Sequence, residues 1–124
     1  MMKFMTLVLA KEGQGFPPPG LIQAIGEIEK DARKEGVFVD QGGLLPTATA
    51  TRVRLSGGKI TVTDGPFAEA KEVLGGFAIF NLKTKDEALK WTRRFMELHK
   101  EHWPEFEGVT EIRQMFEPGD FPKT

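Results

Sequence analysis

The sequence predicts an α+β domain. Three observations carry that expectation: short apolar runs of strand length, two longer segments with apolar residues at helical spacing, and glycine- or proline-containing breaks between them. At 124 residues, 40% hydrophobic and 28% charged, the chain has enough apolar material for one core but not two, so a single domain over 1–124 is expected.

Taken in order, Phe4 to Ala10 is apolar and too short for a stable helix, so it reads as a strand buried on both sides of a sheet. Pro17-Pro18-Pro19 closes a loop with fixed φ and delivers the chain to a helix in which Leu21, Ile25, Ile28 and Ala32 share a face. Gly36 is its expected stop, and Gly26 inside it is expected to mark close packing. Val37-Phe38-Val39 starts a second strand running into Gly42-Gly43, where a bulge or a close backbone approach is expected. Thr49–Leu55 and Lys59–Thr63 flank Gly57-Gly58, a pair suited to the positive φ angles of a two-residue hairpin. That turn sets the register: Leu55 opposite Ile60 and Val53 opposite Val62 on one face, with Arg52, Arg54, Thr61 and Thr63 on the other.

Gly75 to Leu82 is hydrophobic enough for a central strand. Thr84-Lys85-Asp86-Glu87 then forms a capping box opening a second helix whose buried stripe is Ala88, Trp91, Phe95 and Leu98, with Pro104 beyond its end. Gly108 to Met115 makes the last strand, with Val109, Ile112 and Met115 as its apolar members. Two βαβ-like halves around an inserted hairpin give a ferredoxin-like antiparallel sheet with both helices on one face. The other face then needs a cover, and a second copy is the economical one, so a homodimer joined through sheet faces is expected.

Seventeen Lys and Arg against eighteen Asp and Glu leave a formal charge of −1, too balanced to steer the chain onto nucleic acid or an anionic membrane. Without cysteine there are no disulfides, thiolate nucleophiles or Cys-ligated metals. The apolar run at the start is about six residues, short for a signal peptide, and no run approaches the ~20 residues of a membrane span, so a cytoplasmic location is expected.

The densest chemistry lies in Thr63 to Glu72. Asp64-Gly65-Pro66 is strong turn chemistry, and Asp64, Glu69 and Glu72 with Lys71 place three carboxylates and one ammonium within nine residues, where neighbours can shift one another's pKa. The same charges also suit a solvated surface cluster. Arg52 and Arg54 share a strand face and could grip an anion through their planar forks; Thr51 offers a hydroxyl on the same strand, and a solvated hairpin face is the commoner outcome. His99 and His102 suit the negative end of a helix and lack a third committed ligand for a metal, while Trp91, Phe95 and Trp103 at helical spacing read as core. Ser56 is the sole serine and sits at a hairpin tip, and neither Gly-Gly pair has phosphate-loop spacing, so no cofactor is implied.

Asp64-Gly65-Pro66-Phe67 resembles the motif of the DGPF group of YCII-related proteins. The likeness extends through Gly42-Gly43-Leu44-Leu45-Pro46, Ala48 to Arg54, the Gly57-Gly58 hairpin, Ala68-Glu69, Lys71-Glu72 and Leu74 to Phe77, and so covers nearly the whole chain. What the resemblance implies is a ferredoxin-like dimer of the dimeric α+β barrel type, with a cleft between sheet and helices. Some wider relatives are regarded as enzymes with a His and Asp pair in that cleft, one a dehydrochlorinase; this chain carries no His in its first half. Others resemble partners of extracytoplasmic-function sigma factors. Two functions follow as expectations. One is a dimeric small-molecule-binding or regulatory module, with Thr51, Arg52, Arg54, Pro66 and Phe67 touching the ligand and a sigma factor as possible partner. The other is a small lyase or proton-transfer enzyme with Asp64 as acid or base, tuned by Lys71, Glu69 and Glu72.

Overall fold

Met2–Ala10 forms β1, and the polypeptide returns to it twice, because β1 pairs antiparallel with both β5 (Val73–Leu82) and β6 (Gly108–Gln114). β2 (Phe38–Gly43) adds to the outer edge of β5, giving a four-stranded antiparallel sheet of order β2-β5-β1-β6. Two helices, α1 (Pro19–Lys34) and α2 (Lys85–His102), complete the ferredoxin-like α+β arrangement. β3 (Thr51–Ser56) and β4 (Lys59–Asp64) make a separate two-stranded ribbon. The structure, a computed structural model, describes residues 1–122.

Local chemistry explains the boundaries. Pro19 opens α1, where the missing N–H costs nothing, and Gly36 closes it at φ +73°, letting the Gly36 and Val37 amides reach back to the carbonyls of Arg33 and Ala32. Thr84 caps α2 as expected, its hydroxyl accepting from the Glu87 amide at 3.2 Å, but the box does not close on Thr84 itself: the Glu87 carboxylate accepts instead from the amide of Lys83, one residue earlier, at 3.0 Å. Asp31 on α1 and Arg94 on α2 join the helices at 2.6 Å. Gly57 and Gly58 take φ +58° and +77°, and the ribbon has the expected register, Leu55 opposite Ile60 and Val53 opposite Val62.

Several expectations need correction. The strand expected from Thr49 starts at Thr51, because Thr47–Thr49 winds into a 3₁₀ turn after Pro46. The irregularity in β2 falls between Phe38 and Asp40 rather than at the glycines, whose role is close approach: a Cβ on Gly76 would sit 3.0 Å from the Gly42 carbonyl oxygen. Gly26 is not a packing contact, since a Cβ there would meet nothing within 4 Å. The last strand, expected to reach Met115, ends at Gln114, and Val109 within it is 50% exposed. β1 is buried on the helix side only, at Phe4 and Thr6.

The helix-facing rows of the sheet taper. At one end Phe4, Phe80 and Leu82 fill the core against Ala32 and Ala88, with Phe38, Trp91 and Ile112 packed around them. Toward the other end the same rows continue as Thr6, Val8 and Ala10 in β1, Ala78 and Gly76 in β5, and Thr110 and Gly108 in β6. Side chains this small cannot reach the helices, and a gap results.

Two substitutions test the helix analysis by thermal unfolding. Gly26→Ala should stabilise the protein by about 0.5–1 kcal/mol, raising Tm by roughly 2–5 °C, since open space surrounds an ordinary helical site; no gain would mean the position is packed after all. Thr84→Ala should cost about 1 kcal/mol, and an unchanged Tm would show the cap contributes nothing.

Candidate functional site

The gap left by the taper is a cleft of about 560 Å³, within the range of small-molecule sites. Its floor is the helix-facing end of the sheet, including Thr6, Val8, Ala78 and Thr110. One wall is α1 through Ile22, Ile25 and Ile28, and the other is α2 through Trp91, Thr92, Phe95 and His99. The loop from Lys11 to Pro17, together with Leu44–Pro46, forms the rim, and Trp103 and Phe106 close one end. Residues expected to be solid core, Trp91, Phe95 and Trp103, are thus cleft wall.

Most polar groups in this lining are already engaged. The Thr92 hydroxyl donates to the Ala88 carbonyl at 2.8 Å, and the Thr110 hydroxyl donates to Met96 Sδ at 3.1 Å. His99 differs. It is only 6% exposed, and its Nδ1 lies 2.9 Å from the Phe95 carbonyl one turn earlier. A carbonyl oxygen can only accept, so Nδ1 carries the proton and Nε2 is left with its lone pair. No described residue bonds Nε2, yet no fully buried side-chain nitrogen or oxygen lacks a partner, so Nε2 opens onto the cleft.

The rings of Phe95, Phe106 and Trp103 surround that imidazole at centroid distances of 4.5, 5.0 and 6.4 Å. Burial among them pushes the His99 pKa below its ordinary 6.5, the Phe95 carbonyl only partly opposing the shift. The imidazole is therefore neutral near pH 7, a hydrogen-bond acceptor in an aromatic box. The sequence holds the signal for it: Trp91, Phe95 and His99 recur every four residues, so His99 extends the buried stripe of α2. Placing it with His102 as a helix-end charge obscured this. Among the described residues no three His, Asp or Glu side chains gather as a metal-holding group.

The Thr63–Glu72 segment lies elsewhere. Asp64 is exposed and accepts from the hydroxyl of its cross-strand partner Thr51 at 2.9 Å, and neither residue lines the cleft. Arg52 donates to Glu69 at 2.8 Å and lays its guanidinium 3.7 Å over the buried ring of Phe67. The backbone amide of Glu69 itself, and then Arg52, hold the Glu69 carboxyl below the usual range. Arg54, Lys71 and Glu72 are exposed and also lie outside the cleft lining, as does Pro66, whose peptide bond to Gly65 is cis. The segment is thus one packed turn on the outer side of the rim, tied to Thr47 by the Phe67 amide, which donates to the Thr47 hydroxyl at 3.1 Å.

Comparison with known proteins agrees with this architecture. An uncharacterised protein of Rhizobium meliloti (strain 1021) is 37% identical over 81 residues, which cover 64% of this chain and 61% of that protein, so the chain spans less than two thirds of the relative's length. The model of the YCII-related domain matches residues 2–113. With nearly its whole length matched by that domain, the chain belongs to the YCII-related family.

Proposed function

We propose that the protein binds a small, largely apolar aromatic molecule in the cleft, with the Nε2 of His99 accepting a hydrogen bond from an acidic O–H on the ligand. The single observation carrying this reading is an uncommitted imidazole lone pair inside an aromatic-walled cleft. Burying an aromatic ring of roughly 150 Å² is worth ~4 kcal/mol before the cost of association, and a net hydrogen bond adds about 1 kcal/mol. Shape and apolar contact therefore supply the affinity, and His99 supplies the selection.

The lowered His99 pKa ranks binding ahead of catalysis. Full proton transfer would create an imidazolium in an apolar box, the state that burial disfavours. A ligand O–H shared with Nε2 is stabilised there, whereas an ionised pair needs further compensation. Proton-transfer chemistry in the cleft would run through His99 as base, with Asp64 serving its turn rather than the reaction.

A second copy is proposed to cover the open sheet face. Met5, Leu7, Leu74 and Phe77 border a shallow apolar depression there, and among the described residues no helix residue lines it. The ribbon adds Val53, Leu55, Ile60 and Val62 on one face, each 66–71% exposed. Apolar patches on this scale mark interaction surfaces. Chromatography with light scattering should give twice the 13.8 kDa chain mass, and Leu7→Lys should give the monomer; a monomeric wild type at micromolar concentration contradicts the pairing.

Trp91 and Trp103 both line the cleft and are the only tryptophans in the chain, so their fluorescence reports occupancy directly. p-Cresol should quench it and bind about fivefold tighter than p-xylene, and His99→Phe should erase that margin while p-xylene still binds. Equal affinity for both probes in the wild type would remove His99 from the site.

The same variant tests the electrostatics. Because the folded pKa of His99 is depressed, the unfolded chain binds the extra proton first as pH falls. Stability contributed by the neutral imidazole is complete above about pH 6.5 and declines below it until the folded pKa is passed. Wild type should thus lose Tm below pH 6.5 more steeply than His99→Phe, and parallel curves would show that His99 is not buried neutral.

A further inference from the structure

The rim loop between β1 and α1 is pinned on two sides. Gln14 Nε2 donates to the Lys11 and Glu107 carbonyls at 3.0 and 2.9 Å, and the Gln14 side-chain oxygen accepts from the Glu107 amide at 2.9 Å. On the other side Glu12 Oε2 accepts from the Thr47 hydroxyl at 2.8 Å, and its Oε1 accepts from the Thr47 amide. Thr47 in turn receives the Phe67 amide on its hydroxyl. Its carbonyl lies against Gly65, where any Cβ would fall far inside van der Waals contact distance of the oxygen. The Gly65 amide is fixed to the Ala50 carbonyl at 2.8 Å, so the glycine cannot retreat.

The chain of contacts runs without a break from the Asp64–Phe67 turn through Thr47 to Glu12. Glu12 is half-buried and lines the cleft, while Thr47 and Gly65 do not. A carboxylate offers about four lone-pair positions, and Thr47 occupies two. The rest are available at the cleft mouth. Glu12 and His99 line the same cleft, and the strand pair Ala10–Gly108 brings the chain just before Glu12 beside the chain just after Phe106, whose ring lies 5.0 Å from the imidazole. The neighbouring Lys11 is exposed, where solvent and salt weaken its repulsion of a cation.

We infer that Glu12 is the second polar anchor of the cleft, that Thr47 positions it, and that the Asp64–Phe67 turn acts on the ligand at one remove by fixing Thr47. The ligand class is thereby narrowed to an aromatic body with two donors, one reaching His99 and one, a hydroxyl or ammonium, reaching Glu12. This rests on the cleft reading proposed above and deepens it.

The test compares p-cresol with 4-hydroxybenzylamine and tyramine, which add an ammonium one or two methylenes from the ring, again by Trp91 and Trp103 fluorescence. Wild type should favour the better amine over p-cresol by at least fivefold. Glu12→Gln should bring that ratio to about one, and Thr47→Val should do the same because it removes the hydroxyl that holds the carboxylate. Thr47→Ser, which restores the hydroxyl, should keep the preference. Gly65→Ala should copy Thr47→Val from outside the cleft; if it fails to fold, the Thr47 pair decides. A ratio of one in the wild type, or one undiminished in Glu12→Gln, overturns the anchor. A ratio undiminished in Thr47→Val overturns the relay. Failure of p-cresol itself to bind the wild type would instead count against the cleft reading.

Discussion

The protein's architecture depends on a gradient of side-chain size along one face of its sheet. Phe4, Phe80 and Leu82 meet the helices at one end, while Thr6, Ala78, Gly76 and Thr110 fall short of them at the other. At the filled end Ala32 of α1 and Ala88 of α2 pack onto Phe4, Phe80 and Leu82, and the Asp31–Arg94 pair joins the two helices to each other. A close-packed interior would leave no such void, and its size falls in the range of small-molecule sites. Enlarging the small side chains would strengthen the core and close the cleft.

Within that space chemistry is concentrated in few atoms. Hydroxyls that could compete for a ligand are occupied by backbone or sulfur, as at Thr92 and Thr110. His99 reverses the pattern: the backbone bond to its Nδ1 fixes the tautomer and frees Nε2. The i to i−4 geometry of the helix is what makes this possible, since it places the Phe95 carbonyl under the ring without any dedicated partner side chain. Aromatic neighbours then desolvate the imidazole and favour its uncharged form.

Much of the fold was legible because its signals are local. Gly36, the Thr84 cap and the Gly57-Gly58 turn each dictate a backbone geometry from a few residues, and each holds. The ferredoxin-like order followed from the succession of elements, and family membership agrees with the resemblance read from the Gly42–Phe77 stretch. Misreadings arose where a residue's meaning depends on distant partners. Gly26 has open space that no periodicity reports. Asp64 carried the densest local charge and sits outside the cleft, because its strand ends on the ribbon and its oxygen meets Thr51 across that ribbon. His99 was marked only by its four-residue spacing from Phe95 and Trp91, and Glu12 by nothing local: the cleft they line is assembled from β1, α1, α2 and the β6 approach, segments far apart in sequence.

The tautomer of His99 is where these ideas can be tested most directly. Long-range ¹H–¹⁵N correlation of the imidazole in labelled protein near pH 7.5 should show Nδ1 protonated and Nε2 unprotonated, with the Nε2 resonance moving upfield as p-cresol is added. A proton found on Nε2, or a resonance that ignores the phenol while the tryptophans report its binding, would contradict the assignment of His99 as the acceptor of the cleft.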